Sequence, residues 1–238
     1  MEEKINGIVI NSVNYGENDK ILTIFSLEKG LISATIKGVK KAGAKLKFAG
    51  EPFCFAEFIL SVRGDKRTVI GASLTDSFYS IRTDIKRFYS GGVVLEFIKK
   101  FAIGGVESVE LFLCAVNALK TISYEESDPI LPLCRFLFES LKVSGYAIDT
   151  NGCGICKKEP RYRGFFDSDR GCFFCEECFD GVGREIKLET YLCLKKIANK
   201  EKIENEAMFS VLRFFDFYIK SKTDENIKSL TELLKICN

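Results

Sequence analysis

The chain has 238 residues with a formal charge of only +2, so any polyanion-binding surface has to be local rather than global. Nearly half of it is apolar, enough to build real cores in one large domain or two to three small ones. It contains ten cysteines and no histidine, which excludes Cys-His nucleophile pairs, Ser-His-Asp triads and H-E-x-x-H zinc proteases.

The opening residues MEEKINGIVI are acidic and broken by Asn6 and Gly7, so they do not read as a signal peptide. No apolar run approaches a membrane span. These features predict a cytosolic protein without a membrane partner, where clustered cysteines more often bind metal than form disulfides.

Residues 5–13, 21–26, 31–37, 53–62 and 68–74 are rich in Ile, Val, Phe and Thr and read as strands. Turns fall at Glu28-Lys29-Gly30 and Arg63-Gly64-Asp65-Lys66. Five short strands with no long helix between them fit a small closed barrel, the oligonucleotide-binding (OB) barrel foremost. Residues 37–47, KGVKKAGAKLK, link the third and fourth strands and contain Lys37, Lys40, Lys41, Lys45 and Lys47 with no acid. Arg63, Lys66 and Arg67 form a second basic spot at the turn between strands four and five. Both could neutralise phosphates with little regard to sequence. Tyr15, Phe25 and Phe48 could stack on bases, but filling the barrel is the preferred role for them. Gly38 to Gly43 has P-loop-like spacing, yet Ala44 stands where the lysine is required.

After residue 80 the spacing becomes helical. Ile85, Phe88, Leu95, Ile98 and Phe101 mark a first helix, weakened at its middle by Gly91 and Gly92. Leu111, Ala115, Leu119 and Ile122 mark a second. Asp128-Pro129 opens a third that stops at Gly145. A cysteine-rich segment follows over 151–183, and helical pattern resumes over 188–197, 207–220 and 225–236.

Cys153-Gly-Ile-Cys156 supplies one C-x-x-C pair, while GCFFCEEC holds two overlapping frames, Cys172–Cys175 and Cys175–Cys178. Spacing admits either as the second half of a zinc site. A zinc ribbon needs a hairpin between its knuckles: residues 161–167 as one strand, Ser168 to Gly171 as the turn, and Cys172-Phe173-Phe174 as the return strand. The knuckle then falls at Cys175-Glu-Glu-Cys178, making Cys153, Cys156, Cys175 and Cys178 the ligands of one structural Zn2+. Use of Cys172 as a ligand stays open, as does a redox-responsive zinc-binding regulatory protein in which Cys172 or the ligand thiolates sense oxidant. Cys54, Cys114, Cys134, Cys193 and Cys237 read as small buried apolar residues.

These parts together resemble the RecO family of bacterial DNA-repair and recombination mediators. The likeness is carried by GIVINSVNYGENDKILTIFSLEKGLISATIKGVKK, by FLFESLKVSGYAIDTNGCGIC, by FDSDRGCFFCEEC and by Ile227-Lys228-Ser229-Leu230. Cys172 falls where the family commonly has the second glycine of a Gly-Gly pair. The resemblance implies a multidomain α+β protein. An OB domain would span residues 1–80 and a helical domain 81–150 and 184–238, with a four-cysteine ribbon inserted at 151–183. It also implies a cytoplasmic, nucleoid-associated protein without enzymatic activity that binds single- and double-stranded DNA and anneals complementary strands. With RecR, such a protein helps load RecA onto DNA coated by single-strand-binding protein.

Overall fold

A computed structural model describes residues 1–203 and 207–237. Five strands form a closed barrel in the order β1-β2-β3-β5-β4: β1 (Glu2–Tyr15), β2 (Asp19–Ser26), β3 (Gly30–Ile36), β4 (Phe55–Arg63) and β5 (Lys66–Asp76). The fourteen-residue β1 serves two partners, pairing with β4 through residues 2–8 and with β2 through residues 7–15. Its register shifts between Val9 and Asn11, which bends the strand around the barrel. A short parallel seam, Thr35 with Thr68 and Ile36 with Val69, closes the circle between β3 and β5.

Period-two alternation fills the interior. Leu22 and Ile24, Ile32, Ala34 and Ile36, and Ala56, Phe58 and Leu60 all point inward. The outer wall is buried as well on one side. Ile8, Ile10 and Phe25 face the helices, and Phe25 and Phe55 lie against Phe112 at 5.6 and 5.9 Å. Phe25 therefore does not fill the barrel as the sequence suggested; it glues the barrel to its neighbour. Phe48 does pack on the barrel core, and Tyr15 is exposed.

Among the described residues six α-helices follow: α1 (Ile85–Phe101), α2 (Val109–Tyr124), α3 (Ile130–Val143), α4 (Leu188–Ala198), α5 (Met208–Thr223) and α6 (Lys228–Ile236). Asp84 caps α1 by accepting the Arg87 N–H at 2.8 Å, and Asp128 accepts the Ile130 N–H at the start of α3. α1 runs unbroken through Gly91 and Gly92, against expectation. The two glycines are close-approach positions instead of breaks. A Cβ on Gly91 would lie 2.9 Å from the Phe53 ring and 3.0 Å from Ile81, and one on Gly92 would lie 3.1 Å from the Ser229 hydroxyl. Phe53 itself sits at φ +67 and so falls outside β4, which starts two residues later than the sequence pattern indicated.

α6 closes the helical body. The Glu96 carboxylate on α1 accepts the backbone N–H groups of Lys228 and Ser229 at 3.0 and 2.9 Å, and the Ser229 hydroxyl at 2.9 Å. A carboxylate at a helix N-terminus satisfies otherwise orphaned donors and complements the helix dipole.

Between α3 and α4 lies a four-stranded sheet in the order β6-β8-β7-β9: β6 (Asp149–Cys153), β7 (Arg163–Asp167), β8 (Cys172–Phe174) and β9 (Arg184–Lys187). The β7–β8 hairpin and its turn fall as the ribbon argument required. β6 and β9 were not expected, since DTNGC and REIK carry no alternating apolar pattern. Phe166 and Phe173 are fully buried and pack on Phe214, Tyr218 and Tyr191, so the sheet borrows the helices' core.

Gly91→Val inserts branched atoms where Phe53 and Ile81 already sit. It is expected to lower unfolding stability by about 1–3 kcal/mol in chemical denaturation, the usual cost of overpacking.

Candidate metal centre and nucleic-acid interface

Each knuckle is shaped by local backbone chemistry. In the first, the Cys153 N–H reaches the Lys158 carbonyl at 2.8 Å and its own carbonyl accepts the Lys157 N–H at 2.9 Å. Gly152 makes this turn possible, with φ +86 and the Lys157 carbonyl oxygen 2.4 Å from where a Cβ would stand. In the second, Cys178 N–H reaches the Cys175 carbonyl at 3.1 Å. Glu176 accepts the N–H groups of Tyr162 and Arg163, tying this knuckle to the start of β7. Its own backbone N–H, joined by those hydrogen bonds, holds the Glu176 carboxyl below its ordinary range.

The knuckles bring the sulfurs of Cys153, Cys156, Cys175 and Cys178 within 4.8 Å of one another. Cys156 and Cys175 are 3.7 Å apart. A regular tetrahedron with arms of about 2.3 Å spaces its sulfurs about 3.8 Å apart, so the cluster has the right size for one metal ion. All four donors are soft sulfurs, and four sulfurs complete a tetrahedral shell with no position for a substrate. Burial opposes charge on Cys153, but backbone N–H groups at Cys156, Cys175 and Ile155 outweigh it and bring the thiol down to about 6. Hydrogen bonding with Cys175 and Cys156 pushes Cys178 up to about 12, and burial raises Cys175.

Cys172 is outside the four-sulfur group. Its sulfur lies behind the first knuckle, 2.9 Å from the Cβ position of Gly154, so that glycine is what lets the return strand pass. Burial, helped by Asp167 and Asp149, raises the Cys172 thiol.

The basic residues stand on the barrel. Lys37, Lys40, Lys41, Lys45 and Lys47 are all exposed, and none is ion-paired among the described residues. Their backbone is ordered by successive turns. Asp19 accepts the Gly38 N–H at 2.7 Å, the Asn18 carbonyl accepts the Lys40 N–H at 3.0 Å, and Val39 is buried in the barrel core. Lys20 bonds to the Gly50 carbonyl and the Glu51 carboxylate, fixing the loop's far end. Nothing in the sequence pattern marks Asn18, Asp19 and Lys20 as anchors, because their partners lie some twenty to thirty residues away.

Arg63 and Lys66 are exposed on the β4–β5 hairpin, whereas Arg67 is partly buried with its Nε lacking a hydrogen-bond partner. The parallel β3–β5 pairing joins Thr35 to Thr68 and Ile36 to Val69, so Lys37 follows one strand of that seam and Arg67 precedes the paired residues of the other.

A family model described as Recombination protein O N terminal matches residues 1–78, and one described as Recombination protein O C terminal matches residues 82–231. The chain belongs to the RecO family. Among curated proteins it is similar to DNA repair protein RecO of Acetivibrio thermocellus, 27% identical over 95% of this chain and 94% of that one. The DNA repair protein RecO of Caldicellulosiruptor bescii is 25% identical over 95% and 96%. That of Desulforamulus reducens is 30% identical over 77% and 72%. The barrel, the ribbon and helices α1 to α5 lie inside the two family matches, and α6 begins within the second, which makes this a DNA repair protein. No helix among the described residues is long and apolar enough to cross a membrane.

Metal analysis of single Cys→Ser variants tests the cluster. Loss of metal is expected at Cys153, Cys156, Cys175 and Cys178, with full retention in Cys172→Ser; loss at Cys172 would return it to the ligand set.

Proposed function

We propose that this RecO family member is a non-enzymatic recombination mediator that binds single- and double-stranded DNA through the lysine loop and anneals complementary strands. One observation carries the reading. Five lysines without an ion-pair partner among the described residues are held on an ordered, well-anchored loop of a small closed barrel. Like charges crowded without acid partners are costly unless a polyanion compensates them, and loops flanking the face of an OB barrel are where such ligands bind. Arg63, Lys66 and Arg67 at the β4–β5 hairpin would add further phosphate contacts. Contacts of this kind go to phosphates, so affinity follows salt more than sequence.

In this reading the four cysteines hold one structural Zn2+, whose binding free energy stabilises the ribbon and through it the face against α4 and α5. RecR would be the partner in loading RecA on DNA coated by single-strand-binding protein, an assignment supported by family membership. A redox role for Cys172 is disfavoured because it stands outside the four-sulfur group and burial raises its thiol, the opposite of what a peroxide-reactive thiolate requires.

The triple reversal Lys40→Glu, Lys41→Glu, Lys45→Glu is expected to weaken binding to unrelated DNA sequences alike. It is also expected to flatten the log–log salt slope by roughly two or more, at ~0.7–0.9 per lost phosphate contact. Unchanged affinity and slope in that variant would remove the loop from the interface.

A further inference from the structure

The wall formed by β1, β2 and β3 presents an aromatic ring that has no partner among the described residues. After the register shift in β1, Ser12 pairs with Leu22, Val13 with Ile21 and Tyr15 with Asp19. Leu22 and Ala34 fill the barrel interior, so by alternation Val13, Tyr15, Ile21, Thr23, Ser33 and Thr35 face outward. Val13 and Tyr15 are 48% and 57% exposed. Phe25 and Phe48 are committed to packing, one against Phe112 and the other on the barrel core. Tyr15 is the ring that stays free.

That ring stands beside the lysine loop. Its strand partner Asp19 accepts the Gly38 N–H at 2.7 Å, and the Asn18 carbonyl accepts the Lys40 N–H at 3.0 Å. These two hydrogen bonds hold the β1–β2 turn against the first half of the loop. Only one strand spacing of about 4.8 Å separates Tyr15 from Asp19, which puts ring and lysines within reach of one bound strand. The Asp19 carboxylate is engaged by the loop, and Glu17 is exposed in the turn itself. Phosphates are therefore favoured over the loop and disfavoured over the turn. Around the ring, Val13, Ile21, Thr23, Ser33 and Thr35 carry no charge. A neutral platform with a cationic edge suits the two halves of a nucleotide, base and phosphate.

We propose that Tyr15 is the base-stacking residue of the barrel site and the source of a preference for unpaired strands. This deepens the reading that the lysine loop binds DNA phosphates, and rests on it. A tyrosine ring stacks on the face of any base, so the contact is blind to sequence. In a duplex both faces of each base are covered by its neighbours, which leaves Tyr15 nothing to stack on. The stack also leaves the Watson–Crick edge of the bound base open, so a complementary strand can pair with it in place. Pairing then returns the base to the duplex stack and removes the Tyr15 contact, which loosens the hold on the annealed product.

The test is fluorescence-anisotropy binding of an oligothymidylate of about 12 nucleotides, within the ~4–16 held by single OB folds. A dT·dA duplex and an abasic oligomer of the same length serve as comparisons. Tyr15→Ala is expected to weaken single-strand binding roughly fivefold or more, the lower end for one stacked base, with the salt slope unchanged. Its affinity for the duplex and the abasic strand is expected to match the wild type, and Tyr15→Phe is expected to bind the single strand as the wild type does. The chain contains no tryptophan, so Tyr15→Trp adds a lone reporter. Its fluorescence is expected to be quenched by oligothymidylate and not by the duplex. Unchanged thermal unfolding would show that the variants fold.

Single-strand affinity unmoved by Tyr15→Ala, while the lysine-loop triple variant still loses binding, would overturn the stack and leave the loop reading standing. An equal loss on single strand, duplex and abasic strand would overturn it too, because that pattern marks a hydroxyl contact to phosphate. If neither set of variants changes binding, wall and loop fall together.

Discussion

Phe53 fixes how the barrel meets the helices. Its backbone is left-handed, a conformation that costs a bulky residue on the order of 1–3 kcal/mol, and is held by the hydrogen bond from its N–H to the Val9 carbonyl. That geometry drives the ring out of the strand and onto α1, where Gly91 leaves room for it and Arg82 covers it at 5.4 Å. Phe78, also left-handed and fully buried, anchors the exit from β5. With both ends of the β4–β5 hairpin pinned, the outer wall bearing Ile8, Ile10 and Phe25 has only one place to pack. The barrel's outer wall, the helices and the inner face of the ribbon consequently share one continuous apolar core, separate from the barrel's own interior.

The same economy governs the ribbon. Its strands are too few and too short to bury a face between themselves, so Phe166 and Phe173 use rings supplied by α4 and α5. The four-cysteine cluster lies on the opposite side, where among the described residues Phe165, Phe174 and the cysteines themselves pack together.

Much of this was legible in the sequence because it depends on short-range pattern. Alternation revealed the five barrel strands, helical spacing revealed the six helices, and the turn residues Ser168 to Gly171 selected the Cys175–Cys178 frame over its overlapping rival. The failures were of another kind. Gly91 and Gly92 read as helix breakers because their true partners, Phe53, Ile81 and Ser229, are distant in sequence. β6 and β9 are polar edge strands whose pairing is decided by the sheet they join. Phe25 has the composition of a barrel-filling residue, and only the two-sided burial of β2 shows that it faces outward. The lysine run was plain to see, but its anchors at Asn18, Asp19 and Lys20 were not, since their role is to hold backbone rather than ligand.

Glu96 gives the fold a timetable. It grips the start of α6 across 132 residues of chain, so the helical body cannot finish until nearly all of it has left the ribosome. The barrel, complete by Asp76, has no such wait. During synthesis a formed barrel therefore carries the uncovered apolar wall of Ile8, Ile10 and Phe25 while its helical cover is still being made. Newborn chains spend that interval with a sticky flank, the stretch in which a chaperone has most to offer.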